Sequence, residues 1–146
     1  MISSFSVSKN AFAPGAGFGP YSVAKAGIVQ LRHGEIDRAA ETLSESLRLT
    51  HRLNDPRNAA TCLEGLAWIA GVRHNPQLAV TLMAAAESLG LAVGTGSTVV
   101  FPALLGHHED CERRAREALG EEGFETARQK GRSLDFDEAV AYGLGG

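Results

Sequence analysis

Residues 24–43, AKAGIVQLRHGEIDRAAETL, align without a gap on residues 64–83, EGLAWIAGVRHNPQLAVTLM, when the chain is shifted by 40 positions. Each stretch predicts a helix, a tight turn and a second helix that opens with small residues, which let two helices approach closely. Such a hairpin cannot bury its apolar face alone, so neighbouring hairpins are expected to stack. The two stretches therefore predict an all-α fold, an α-solenoid of helical hairpins. An irregular helical bundle is the alternative.

Helix boundaries can be read from local signals. Asn54-Asp55-Pro56 and Asn75-Pro76 each place a capping side chain before a proline, which is tolerated in the first turn of a helix. Asp135 and Glu138 have the spacing of a capping box. With the apolar periodicity between these points, the chain predicts seven helices, which begin near residues 20, 36, 56, 76, 102, 121 and 135. The fourth is expected to end at Gly90 and the fifth at Gly120. Trp68 is expected near a helix crossing.

Composition limits the function classes. The chain has 146 residues, 44% hydrophobic and 21% charged, which is typical of one globular domain. A net charge of −3 argues against a surface that binds nucleic acid. No apolar run is long enough to span a bilayer, and the first residues lack the features of a signal peptide, so a cytoplasmic location is predicted. Cys62 and Cys111 are then expected to be reduced thiols.

The first part of the chain differs in composition from the rest. Residues 1–34 contain no Asp or Glu, and all 17 acidic residues follow them. Residues 2–7 have a β-like pattern, and glycine and proline around residues 14–17 indicate a loop. We therefore expect an irregular segment over residues 1–20 and a helical-repeat domain over residues 21–146.

Two long stretches resemble a known family. DRAAETLSESLRLTHRLNDPRNAATCLEGLAWIAGVRHNPQLAVTLMAAAESLG (residues 37–90) and ALGEEGFETARQKGRSLDFDEAVAYGL (residues 118–144) are similar to the C-terminal tetratricopeptide-like region of bacterial LuxR-type and related ATP-binding signal-transduction regulators. The resemblance covers about residues 24–146. It implies a sensor and protein-interaction arm, with the nucleotide hydrolysed in a separate P-loop domain and a helix-turn-helix often following the last repeat. Neither of those parts occurs within this sequence.

A second resemblance covers residues 1–30. SVSKNAFAPGAGFGPYSVAKAGIVQL (residues 6–31) is similar to the active-site stretch of short-chain dehydrogenases/reductases, in which Ser8, Tyr21 and Lys25 would be the catalytic residues. Tyr and Lys four apart lie on one helical face, where the ammonium can lower the phenol pKa. The Gly-rich dinucleotide fingerprint and the βαβ units of that family are absent from this sequence. A truncated or degenerate reductase is therefore the alternative hypothesis.

Other polar clusters predict no site. His107-His108-Glu109-Asp110-Cys111 contains metal-ligand types, but neighbouring residues on one helix point apart, so a solvated polar face is expected and no metal site. Arg113, Arg114 and Arg116 among acidic residues indicate a salt-bridged surface. His33, His51 and His74 lie near helix ends and are expected to interact favourably with the helix dipole.

Together these observations predict a module for protein interaction or ligand sensing within a bacterial transcriptional or signal-transduction regulator, and not an enzyme. We expect a protein partner or a small effector in the groove of the repeats. No cofactor, direct nucleic-acid contact or membrane contact is expected, and a homo-oligomer is compatible with these predictions.

Overall fold

A computed structural model describes residues 20–92 and 105–145, and the side chains of residues 24–92 and 106–145. Every regular element in these ranges is an α-helix, as the sequence predicts. The six helices are α1 (Pro20–Arg32), α2 (Ile36–Arg52), α3 (Pro56–Val72), α4 (Pro76–Ala92), α5 (Leu105–Ser133) and α6 (Phe136–Gly143). None of them is long and apolar enough to cross a membrane.

Three of the helix starts have the predicted caps. The Asp55 side chain accepts a hydrogen bond from the backbone N–H of Asn58, and Pro56 is the first residue of α3. Asn75 accepts from the N–H of Leu78 at 3.3 Å in the same way. At the start of α6, Asp135 accepts from the N–H of Glu138, whose carboxylate accepts from the N–H of Asp135. At each of these three helix starts, the capping hydrogen bond joins residues only three positions apart in the chain.

The same two backbone hydrogen bonds close three turns between helices, including the α2–α3 turn, in which residues 55 and 54 donate to the carbonyls of residues 50 and 51. In the α1–α2 turn, Glu35 N–H donates to the carbonyl of Gln30, and Gly34 N–H to that of Leu31. In the α3–α4 turn, residues 75 and 74 donate to the carbonyls of residues 70 and 71. Gly34 has φ of 80°, and His74, the equivalent position in the second hairpin, has φ of 62°. The second helices of the two hairpins, α2 and α4, begin and end at equivalent positions of the aligned stretches.

Helix α3 is the centre of the molecule. It packs against α1, α2, α4, α5 and α6, and every residue from 59 to 70 is buried. Helix α6 turns back to contact α2, α3 and α4. Because α3 has neighbours on all sides, the surface that a stack of hairpins would leave open along this helix is covered.

Small residues allow the closest helix contacts, as the sequence suggests. A Cβ atom on Gly27 of α1 or on Gly65 of α3 would lie 2.7 Å from the side chain of Leu43 on α2. Ala39 and Ala79, near the starts of α2 and α4, have no exposed surface. The three helices α1, α2 and α3 therefore meet around Leu43, whose side chain would have to shift to accommodate a Cβ atom at either glycine.

The structure corrects the number of helices and one predicted boundary. The helices expected to begin near residues 102 and 121 form one element, α5, so the described residues contain six helices and not seven. Gly120, with φ of 75° and ψ of 168°, is not helical, so α5 consists of two helical segments that meet at a kink where the sequence predicts one helix to end and the next to begin. Helix α4 continues through Gly90 to Ala92. A glycine ends a helix where it adopts a left-handed conformation, and Gly90 does not have a positive φ. The structure does not describe residues 1–19 or residues 93–104. The irregular segment expected over residues 1–20, with its β-like residues 2–7, therefore lies outside the described residues except for residue 20, which begins α1.

Candidate functional site

The most unusual side chain in the core is Glu64, in the middle of α3. Its side chain is 3% exposed, and the residues on either side of it in α3 are buried as well. Burying a carboxyl group is unfavourable unless hydrogen bonds replace those it makes with water. Glu64 therefore needs partners from within the fold.

Two of these partners come from α3 itself and from α5. Trp68, one turn further along α3, donates its indole N–H to Glu64 Oε2 at 2.6 Å. His108 of α5 places Nδ1 at 2.5 Å from the same oxygen. The buried carboxyl group of Glu64 thus joins α3 to α5 through His108, which is 44 positions later in the chain.

The Trp68 ring joins α1 to the same site. It packs with the buried Ile28 of α1, and its centroid lies 5.7 Å from that of His107 on α5. The position of Trp68 at a helix crossing agrees with the sequence prediction. We refer to Glu64, Trp68, His107 and His108 as the Glu64 cluster; it is the point where α1, α3 and α5 meet.

The electrostatics of the cluster favour a protonated His108. Its hydrogen bond to Glu64 raises the pKa of His108 above the ordinary value of 6.5, and partial burial opposes this effect. The negative charges of Glu64, Glu112 and Glu87 raise the pKa further. A carboxylate that orients an imidazole is also a feature of general-base sites, but the structure places no activated nucleophile beside this pair within the described residues.

We expect the stability of the protein to fall as the pH rises above about 6.5. The folded state holds the His108 proton more tightly than the unfolded chain does, so this contribution is complete below pH 6.5 and is lost as pH rises through the raised pKa. Urea unfolding across this pH range measures it. The change with pH should largely disappear in His108→Gln and persist in His33→Gln, which alters an exposed histidine. An identical pH dependence in both variants would contradict this assignment.

Both cysteines are free thiols, and neither is activated. Burial raises the pKa of Cys62 to about 12, although a hydrogen bond to Ser46 opposes the shift. Burial also raises the pKa of Cys111 to about 11, and the negative charge of Glu64 adds to the effect. The thiolate form of Cys111 is therefore disfavoured beside the Glu64 cluster.

We expect both cysteines to react slowly with a thiol reagent such as Ellman's reagent at pH 8. At these pKa values the thiolate fraction lies below that of an ordinary cysteine by about three orders of magnitude for Cys62 and about two for Cys111, and burial limits access as well. Both should react at once in denaturant. Ser133→Cys adds an exposed thiol in the last turn of α5, and it should react rapidly in the folded protein. Rapid reaction of two thiols in the folded wild type would contradict the burial of these groups.

The three residues suggested by the reductase resemblance are only partly described. Tyr21 and Lys25 both lie on α1, one turn apart, and the Lys25 side chain is exposed. Ser8 lies outside the described residues. Helix α1 packs against α2 and α3, and residues 20–92 and 105–145 contain no strand. The described residues therefore bring two of the three onto one helix, and the reductase hypothesis stays a prediction.

The segment from His107 to Cys111 differs from the expected solvated face. Glu109 is exposed, but His108 and Cys111 turn inward, His108 to Glu64 and Cys111 to the carbonyl oxygen of Ala67. No group of three or more His, Cys, Asp or Glu side chains among the described residues could hold a metal ion. The sequence signal that could have found the pairing is Glu64 itself, because a lone acid in an apolar helix requires a partner.

The arginine-rich stretch of α5 is the salt-bridged surface that the sequence predicts. Arg114 pairs with Asp110 at 3.1 Å, and Arg116 pairs with Glu121 at 2.7 Å. Arg113 lies between Asp110 and Glu117. Of the histidines near helix ends, His51 bonds instead to Asp137 of α6 at 2.7 Å. That contact helps to place α6 against α2.

Two surface depressions lie near the turns between helices. One, of about 370 Å³, lies between the α3–α4 turn and the end of α6, and its lining includes Asn75, Leu78 and Tyr142. The other, of about 490 Å³, is formed by residues 53–58 of the α2–α3 turn. Both are small and open to solvent.

No protein-family model, curated protein or solved structure matches this chain.

Proposed function

We propose that the chain is a helical-repeat module for protein interaction or ligand sensing in a bacterial regulatory protein, and that it is not an enzyme. The observation that carries this proposal is the regular succession of α2, α3 and α4, which begin at residues 36, 56 and 76 and have 17 residues each. Each of them follows a turn closed by the same two backbone hydrogen bonds. Repeated hairpins of this length are typical of tetratricopeptide-like α-solenoids, which present surfaces for partners.

The chemistry of the polar groups supports a role without catalysis. The Glu64 cluster joins α1, α3 and α5, and burial raises the pKa of the nearby Cys111 thiol to about 11, which disfavours its thiolate form. A group that joins three helices responds to any partner that changes their separation. A cytoplasmic location follows from the same regulator hypothesis.

The regulator hypothesis is tested by the reading frame around this chain. We expect a P-loop sequence of the form Gly-x-x-x-x-Gly-Lys-Ser/Thr upstream, a helix-turn-helix downstream, or both, in the same polypeptide. A frame that contains the βαβ units of a dinucleotide-binding domain upstream of Ser8 would instead favour the reductase hypothesis.

A nucleotide titration separates the two classes of function directly. We expect no saturable fluorescence change when the purified chain is titrated with NADH or NADPH, because a dinucleotide requires a Gly-rich turn at a helix start and an acidic residue about 20 residues later. Tyr21→Phe should behave like the wild type. Saturable binding at micromolar concentration, or loss of a carbonyl-reducing activity in Tyr21→Phe, would overturn the proposal.

A further inference from the structure

The outward face of α2 carries a charge pattern that the fold does not use. Glu41, Glu45, Arg48 and Arg52 are spaced four, three and four residues apart, so they form one stripe along the helix. All four are exposed, and the stripe lies opposite the buried side of α2, which includes Leu43 and Leu47. We call these four residues the α2 stripe.

The side chains of the α2 stripe are not paired within the described part of the chain, in which they make no ion pair or hydrogen bond. The charges of α5 behave differently: Asp110 pairs with residues three and four positions later, as expected for charges that stabilise their own helix. In the α2 stripe the residues four apart have the same charge, Glu41 with Glu45 and Arg48 with Arg52. Such pairs destabilise an isolated helix.

The helix dipole does not account for the arrangement. It favours acidic residues in the first turn and basic residues in the last turn, and its influence fades within a turn of each end. Glu45 and Arg48 lie near the middle of α2, which spans Ile36–Arg52. The two residues are three positions apart, a spacing at which opposite charges can stabilise a helix, but the structure shows no ion pair between them.

The geometry points to a second copy of this chain as the partner of the α2 stripe, bound antiparallel across a two-fold axis. An axis between positions 46 and 47 places Glu41 opposite Arg52 of the other copy and Glu45 opposite Arg48. Both pairings require the same axis, and the symmetry generates each of them twice, so four pairs of opposite charge form together. A two-fold interface requires this self-complementarity, in which each residue meets its counterpart in both directions.

The expected association is reversible and sensitive to salt. One helix face buries less surface than a stable dimer interface, and exposed ion pairs are screened by salt. The inference rests on α2 alone and is independent of the proposed regulatory role, so the reading-frame and nucleotide tests can fail without affecting it.

Sedimentation of two matched variants tests the inference. Glu41→Arg combined with Arg52→Glu keeps every cross-pair opposite in charge, whereas Glu41→Arg combined with Arg48→Glu makes every cross-pair alike. Both variants preserve the net charge and replace one Glu and one Arg at exposed positions. At up to about 1 mM protein and about 50 mM salt, we expect the wild type and the first variant to form dimers, and the second to bind at least about tenfold more weakly. The wild-type dimer should dissociate at about 500 mM salt.

A mixing experiment gives an independent result that does not depend on either of those variants. Glu41→Arg with Glu45→Arg makes the stripe entirely positive, and Arg48→Glu with Arg52→Glu makes it entirely negative. Each should be monomeric alone, and an equimolar mixture should form a heterodimer. A wild type that stays monomeric under these conditions, a dimer insensitive to salt, or equal association of the two matched variants would overturn the inference.

Discussion

Replacing Gly131 by alanine is expected to destabilise the protein by about 3 kcal/mol, although alanine is the better helix former. Gly131 is buried where α5 crosses α4. An added Cβ would lie 2.2 Å from the carbonyl oxygen of Thr81 and 2.7 Å from the Cβ of Ala84. The first of these is a backbone atom, so the clash can be relieved only by moving the two helices apart. Urea or thermal unfolding measures the loss.

Gly106→Ala is the matched control, because it makes the same change near the start of the same helix. No heavy atom lies within 4 Å of the added Cβ at this position. Only the backbone effect then remains, and we expect stability to be unchanged or to increase by up to about 1 kcal/mol. Equal stability of Gly131→Ala and Gly106→Ala would show that α4 and α5 do not make this close contact.

Replacing Glu64 by alanine is expected to destabilise the protein by about 3 kcal/mol through a different mechanism. The change leaves the buried indole N–H of Trp68 and the half-buried imidazole of His108 without their acceptor. Removing one member of a buried polar pair leaves the other desolvated and unsatisfied, which is the main source of the loss. Glu64→Gln keeps an acceptor for Trp68 without the charge and should lose less.

The fluorescence of Trp68 provides a local readout, since it is the only tryptophan in the chain. We expect its emission to change in the folded Glu64→Ala variant because the indole loses its hydrogen bond. Asp137→Asn is the control: it weakens the pair with His51, in which the Asp137 side chain is 82% exposed. Exposed pairs contribute little, so its effect should stay below about 1 kcal/mol and leave the emission unchanged. An unaltered emission in Glu64→Ala would contradict the role given to the carboxyl group.

The candidate site could be predicted from the sequence only in part. The position of Trp68 at a crossing follows from its place within an apolar helix. The pairing of Glu64 with His108 does not, because the residues are 44 positions apart and the signal at His108 is a polar segment that equally predicts a solvent-exposed face. Which residues of His107-His108-Glu109-Asp110-Cys111 turn inward depends on how α5 is rotated against α3, and this rotation depends on the packing of the whole core.

The helical class and the starts of α3, α4 and α6 could be read from the amino-acid sequence. These features depend on contacts within a few positions: Asp55 with Asn58, Asn75 with Leu78, and Asp135 with Glu138. The enclosure of α3 by five helices, the return of α6 across α2, α3 and α4, and the crossing of α5 and α4 at Gly131 emerge only from the folded chain. The physical reason is the range of the interactions. Capping and periodicity act within one or two helical turns, whereas the arrangement of helices depends on which apolar faces fit together across the core, and a single apolar stripe is compatible with several partners.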